Sequence, residues 1–518
     1  MPGSSRPRKP HSARRARPDA RPARPHPYYT LLIFFALFAI PLLAIHLPLL
    51  SLPFFWDELG QFIPTALDLL RKGAWVAQST VPNVHPPAVE LYLAICYKLF
   101  GFSITITRTA MLLVASAGLL ITFLLAIELS RETRGAPAFI PPLFLLASPL
   151  FFTQSMMAQL DMPAMVFTVL ALFLFLRRNY ALAALASLVL VLIKETGIVT
   201  PFVFFLLLLS KKDFRHASYF IAPAVALFGW LALLHRATGH WLGNPGFAHY
   251  NIGYALHPVR LAVSFARRFY YLFFAEFRWL GTLVLVFAAR QANLFRAEPW
   301  RVTIAVAAAN FIVVSMFGGA ELERYLLPVL PLFYIAVAVA LTFARKWVRV
   351  STTAALVVGL IVNLFWNPPY PFPFENNFAM VHFVRLEQAA ATFAESNFND
   401  RTIATAWPYT AALENPDYGF VKHKLNVVET NDFHFASIRA LPPNSFDVLI
   451  TYTRTWAPAN SVVGIPFVRH FLSQFYEWQP KITRDECARL GLREAVSWNM
   501  GGQEITIYVR NPATYLGD

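Results

Sequence analysis

Charge is scarce in this sequence. Of 518 residues only 14% are Asp, Glu, Lys or Arg, against about 25% in ordinary soluble domains, while 57% are hydrophobic and 15% aromatic. That shortage excludes a freely soluble chain and leaves a polytopic membrane protein. Cysteine is nearly missing as well: Cys96 and Cys487 make no CxxC pair and no disulfide framework. No Walker loop and no GxGxxG run is present, so a nucleotide site has no sequence support. The net charge of +15 does not indicate nucleic acid as a partner, because the basic residues sit in short clusters between apolar runs instead of forming one stripe.

What is present is a series of apolar runs with polar borders. Residues 1–30 form a basic tail: the first 27 carry eight Arg or Lys, seven Pro and one Asp, too little apolar surface to fold. A disordered cytoplasmic tail is expected, followed by a retained first span, since the run after it exceeds a signal-peptide core. Spans are expected at 31–51, 106–128, 137–152, 161–176, 180–194, 196–210, 217–235, 270–289, 302–318, 325–343 and 350–366. With the tail inside, every cytoplasmic loop is basic, as the positive-inside rule requires: Arg131 and Arg134, Arg177 and Arg178, Lys211 to Arg215, Arg290 to Arg301, and Arg345 to Arg349. Residues 86–100, within a first outer loop 52–105, and residues 258–268 are expected as helices in the outer interface. Threading both gives thirteen spans but flips the basic loops between them. About eleven spans, up to thirteen, are therefore expected over 31–366.

After Asn367 the composition changes. NPPYPFPFENN breaks the pattern, and β-rich runs at 402–406, 425–429, 447–452 and 504–509 alternate with helical patterns such as 380–395. Residues 367–518 read as a soluble α/β domain on the outer side.

In this threading five polar groups share the outer face. They are Asp57 and Glu58; Asn83, His85 and Glu90; Gln159 and Asp161; Lys194 and Glu195; and Glu321, Glu323, Arg324 and Tyr325. Charges at membrane depth cost several kcal/mol unless paired or functional. Each has a plainer reading: Asp161 as a helix N-cap, Lys194 paired with Glu195, His85 shaping a turn before two prolines, Arg324 as an interfacial anchor. Together they offer a carboxylate base and cations to hold a departing phosphate, the equipment for moving a group off a lipid phosphate.

The order WDE, HPP, LDMP, KETG and RYLLPVLP, followed by an outer domain, resembles the GT-C lipid-linked glycosyltransferases over about residues 30–365. It is most similar to the dolichyl-phosphate-mannose protein mannosyltransferases and the aminoarabinose (lipid A) transferases. The resemblance implies a multi-pass enzyme, in a bacterial inner membrane, that moves a sugar from a polyprenyl-phosphate donor to an extracytoplasmic acceptor, with membrane lipids around it. It implies Asp57 as catalytic base with Glu58 beside it, Asp161 as the second-loop acid, and Lys194, Arg324 and His85 on the donor phosphate. Glu90, Glu195, Tyr325, Arg267 and Arg268 are further candidates for substrate contact. No cofactor is demanded; a divalent metal on Glu58 or His85 stays open, without a ligand cluster of diagnostic spacing. Glycan, lipid and protein hydroxyls all stay open as acceptors. A transporter or flippase is the alternative reading, since charges at span ends also mark substrate routes.

Overall fold

The computed structural model describes residues 27–131, 137–291, 296–442, 444–458 and 461–510; the basic tail, apart from its last residues, lies outside them. Among the described residues five helices are long and apolar enough to cross a membrane: Tyr29–Leu49, Ile104–Ser130, Phe214–Thr238, Glu298–Met316 and Lys346–Phe365. The pair Pro258–Phe273 and Arg278–Ala288 makes a sixth if counted as one bent span. Shorter apolar helices, Asp161–Leu176, Tyr180–Ile193, Glu195–Ser210 and Leu330–Leu341, complete the bundle. Leu330–Leu341 is buried at every residue but Ala336, so a helix too short for roughly 30 Å of hydrocarbon is covered by its neighbours. The rim is different. Leu32, Ile33 and Ile40 on the first helix, and Val358, Ile361 and Phe365 on the last, are exposed, an apolar surface that water would not tolerate at this extent. The chain is an integral membrane protein.

Two expected spans are altered. In 137–152 the chain forms Ile140–Ala147 and Pro149–Gln154, interrupted at Ser148, whose backbone is extended (φ −68°, ψ 124°); the residue before a proline is pushed out of the helical region. The span expected at 270–289 starts only at Arg278. Residues 258–273 form one helix, and the chain then turns by 85° through Glu276 and Phe277, both left-handed (φ 54° and 64°). The apolar stretch 86–100 forms the helix Ala88–Phe100.

Beyond the last membrane helix lies a five-stranded sheet: β1 (Thr402–Ala406), β2 (Asn426–Thr430), β3 (Val448–Tyr452), β4 (Leu492–Met500) and β5 (Gln503–Arg510). The order is β2-β1-β3-β5-β4. β1 is parallel to β2 and β3, whereas β5 is antiparallel to β3 and β4. β3, VLITY, is the central strand and is buried throughout. Gly501 and Gly502 (φ 59° and 80°) supply the two left-handed residues of a tight hairpin between β4 and β5. The helix Ala379–Asn397 covers one face. The sheet meets the bundle where Trp407 lies on Gly60: a Cβ there would come within 2.1 Å of the indole.

Glu387, in that covering helix, is buried with both carboxylate oxygens lacking a partner, and burial raises its pKa well above the usual carboxylate value. Because the folded form binds the proton more tightly than the unfolded chain, this residue weakens the fold increasingly as pH rises above the ordinary carboxylate range. Glu387→Gln is expected to flatten the decline of the apparent Tm between about pH 5 and 8. Glu387→Met should raise the Tm at neutral pH, by the equivalent of about 1–3 kcal/mol. Thermal unfolding in detergent measures both, and an unchanged pH slope in Glu387→Gln would refute the assignment.

Candidate active site

The segment Leu52–Phe62 sends its two adjacent acids in different directions. Trp56 is held at φ +40°, and Glu58–Phe62 forms a single π-type turn ahead of the helix Ile63–Lys72, the kind of local irregularity found at functional sites. Asp57 precedes this turn and Glu58 opens it, and consecutive side chains on a helical path point to different sides. Glu58 points inward and is fully buried. Its Oε1 lies 2.5 Å from Arg108 Nη1 and accepts from Ala158 N at 2.7 Å, while Oε2 accepts from Phe55 N at 2.8 Å. Arg108 also donates to the carbonyls of Pro53 (2.8 Å), Leu52 (3.3 Å) and Met156 (3.0 Å). This sealed pair ties the first loop to residues 156–158 and to the helix Ile104–Ser130.

Asp57 points the other way. Its side chain is 17% exposed and Oδ2 lies 2.5 Å from Arg324 Nη2. Arg324 is buried in the short turn Glu323–Leu326, and it meets two further carboxylates, Asp161 Oδ2 at 3.0 Å from Nε and Glu375 Oε2 at 3.1 Å from Nη1. Asp161 Oδ1 in turn takes Lys194 Nζ at 2.5 Å, and that ammonium lies 4.0 Å from the Tyr325 ring centroid. Lys194 reaches inward because the helix Tyr180–Ile193 ends there, with Lys194 extended (φ −150°, ψ 126°). Burial pushes the Glu375 carboxyl up to about 7, although Arg324 pulls it down.

The plainer readings of these residues do not describe them. Asp161 is the first residue of its helix and not its N-cap, Lys194 pairs with Asp161 and not with Glu195, and Arg324 is buried among three carboxylates. Glu195 instead accepts from His85, Nδ1 to Oε2 at 2.8 Å.

A cavity of about 2400 Å³ runs past these groups, lined by Asp57, His85, Lys194, Glu195, Arg324, Tyr325, Arg267 and Glu375. Ile198, Val199, Leu227, Leu231, Val313 and Val314 give it an apolar wall. Arg267 pairs with Glu323 at 2.6 Å. Arg268, its neighbour on the helix, faces inward, is buried and does not line the cavity; its proposed substrate contact has no path. Glu90 is likewise apart. It is buried, with its carboxyl pushed up to about 7 by burial, and faces a small cavity of about 20 Å³ beside His85 and Asn83.

The residues do not fit the metal left open on Glu58 and His85. Both Glu58 oxygens are occupied by N–H donors, His85 is bound to Glu195, and the three carboxylates that do converge are centred on a guanidinium. Among the described residues no three His, Cys, Asp or Glu side chains are grouped to hold an ion.

Sequence reasoning missed Arg108 and Glu375. Arg108 lies two residues inside an apolar run, itself a signal; Glu375 stands in a Pro-rich stretch read only as a break.

No protein-family model and no curated protein matches the chain. Solved structures do. ArnT from Cupriavidus metallidurans, bound to undecaprenyl phosphate, aligns with a TM-score of 0.51 at 15% identity over 93% of this chain and 98% of that one. The oligosaccharyltransferase of Archaeoglobus fulgidus, in complex with Zn and sulfate, aligns at 0.50 and 12% identity over 81% of this chain and 67% of its own. The archaeal AglB from the same organism, with an inhibitory peptide and a dolichol-phosphate, also reaches 0.50 at 12% identity, over 82% and 69%.

The chain has the GT-C fold. Within this GT-C chain the Glu58–Arg108 pair predicts a stability effect. Arg108→Ala leaves a buried carboxylate without its counter-charge, a loss of about 3–5 kcal/mol, and should lower the Tm in detergent sharply. A Tm within about 1 °C of wild type, too small for such a loss, would show that the pair does not hold the loop.

Proposed function

We propose that the chain is a membrane glycosyltransferase that moves a sugar from a polyprenyl-phosphate donor to a hydroxyl acceptor outside the cytoplasm. The observation that carries the reading is one cavity wall holding Asp57, Arg324 and Lys194 together, beside the apolar wall from Ile198 to Val314. An anionic headgroup and an isoprenoid tail need those two surfaces side by side. The fold shared with ArnT and AglB, whose structures hold undecaprenyl phosphate and a dolichol-phosphate, supports it.

In the proposed reaction Asp57 takes the proton of the acceptor hydroxyl, whose oxygen attacks the anomeric carbon from the face opposite the phosphate. The bond from that carbon to the phosphate oxygen breaks, its electron pair stays on the polyprenyl phosphate, and configuration inverts. Phosphate leaves readily, so no second carboxyl has to protonate it, in contrast to a glycoside. Arg324 and Lys194 stabilise the charge that appears on it, with His85 close by in the lining. Glu58, without access to the cavity, acts by fixing the backbone that presents Asp57, and Asp161 and Glu375 hold the guanidinium in place. Hexosyl and pentosyl donors fit this scheme equally. The four short helices and the broken segment 140–154 complete eleven crossings, in a bacterial inner membrane, with the sheet and the cavity mouth outside.

Asp57→Asn is expected to leave a folded, membrane-inserted protein whose sugar transfer from radiolabelled polyprenyl-phosphate sugar falls by about a hundred- to ten-thousandfold. Full activity in that variant ends the base assignment. Topology is checked separately: cysteines introduced at Arg178 and Phe420 should be labelled from opposite sides of sealed vesicles. Labelling from one side would reverse the proposed orientation of the sheet.

A further inference from the structure

Open α/β sheets bind ligands just beyond the carboxyl ends of their parallel strands, where successive connections leave in opposite directions. Here the chain passes from β1 to β2 on one side and returns to β3 on the other, so that place lies between β1 and β3. Trp407 follows β1, Asp432 and His434 follow β2, and Thr453 and Arg454 follow β3. All five line the cavity that holds Asp57. The sheet therefore opens its ligand-binding edge onto the chamber in which the transfer would occur.

The side chains at that edge have a definite chemistry. Trp56, the residue before Asp57, lies with its ring 6.3 Å from Trp407 and 6.2 Å from Tyr452, edge to face, and the guanidinium carbon of Arg454 is 5.7 Å from its ring centroid. Both indoles are half-buried. Arg454 gives one Nη1 bond, at 2.8 Å, to the carbonyl of Asn431 and has further N–H donors. Asp432 and His434 form a pair at 3.2 Å. Flat apolar rings beside a carboxylate, an imidazole, a guanidinium and a hydroxyl suit a ligand with C–H faces and many hydroxyls. A lipid tail would want the apolar wall around Leu227 instead. A peptide captured by strand addition needs a free strand edge, whereas these residues sit at strand ends.

We infer that the carboxyl ends of β1, β2 and β3 form a saccharide subsite, and that the acceptor of the transfer proposed above is a glycan hydroxyl whose ring rests against Trp56 and Trp407. The inference rests on that functional reading and names its acceptor. The volume agrees with it. At about 2400 Å³ the cavity exceeds the roughly 300–1,000 Å³ of ordinary small-ligand sites, enough for a lipid-borne sugar and the end of a second glycan at once. Trp56 and Asp57 are consecutive, so a ring on the indole brings its hydroxyl to the base.

The test uses the full chain in detergent with two probes. One is an array of defined oligosaccharides of hexoses, hexosamines and pentoses beside Ser- and Thr-containing peptides; the other is undecaprenyl phosphate. The wild type is expected to bind at least one glycan class. Arg454→Ala and Asp432→Asn should each weaken that binding about tenfold or more, the scale of one charged hydrogen bond, while undecaprenyl phosphate binding stays at the wild-type level. Binding to peptides alone, to nothing on the array, or to glycans with no loss in either variant overturns the subsite. If undecaprenyl phosphate binds in those cases, only the subsite falls; if it does not bind to the wild type either, the glycosyltransferase reading falls with it.

Discussion

A single buried guanidinium organises this molecule. Arg324 is surrounded by carboxylates from three distant parts of the chain, Asp57, Asp161 and Glu375, and Lys194 joins through Asp161. Taking such charges out of water costs several kcal/mol for each ion, so none of these segments can keep its place without the others. The cluster also has a charge balance that matters for chemistry. Three carboxylates face two cations, with the Glu375 carboxyl poised at about 7. Asp57 and Glu375 both reach the cavity while the same guanidinium restrains them.

The helices hold this cluster because they stop where it lies. Asp161 opens one helix, Lys194 closes another, and Arg324 sits in a turn before a third. Such helix ends leave backbone and side chains free of the regular ladder. The short helices therefore have a purpose that full-length spans would not serve. Their polar ends meet inside the bundle, and the long rim helices supply the apolar belt. The left-handed pair Glu276 and Phe277 does similar work, since the 85° turn there lets Pro258–Phe273 run alongside the cavity and deliver Arg267 to it.

How much of this was legible in the sequence follows from what kind of force sets each part. Strands β1, β2, β3 and β5 fall within a residue of runs rich in Val, Ile and Thr, because burial on a sheet selects those residues. β4, LREAVSWNM, carries its polar residues on an exposed strand and gives no such pattern. Asp57, Asp161, Lys194 and Arg324 could be picked out because charge beside an apolar run is conspicuous. Their partners could not be chosen, since pairing depends on geometry between residues 33 to 267 positions apart: Glu58 and Asp57 face different ways because they are consecutive in a helical turn, and Arg267 and Arg268 differ by one helical step. Glu375 was hidden for another reason. A Pro-rich stretch reads as a linker, yet Thr153 donates to the Glu375 carbonyl and fixes it against the bundle.

The sheet belongs to the site and is not an appendage. Gly60 lies three residues after Asp57, and its missing Cβ is what lets Trp407 sit on the turn that carries Asp57. A side chain at residue 60 would meet the indole at a distance that no flexible end could relieve, so the turn and the end of β1 have one compatible arrangement. Trp407 and Trp56 then lie edge to face, and Asp57 is flanked by the bundle's cations on one side and by the sheet's strand ends on the other. A carboxylate gripped between the two parts in this way responds to both, because any displacement of the sheet moves the Trp407 contact and with it the backbone of residues 56–60. The position of Asp57 is thereby tied to whether the sheet is seated, because the turn that carries it packs against the end of β1.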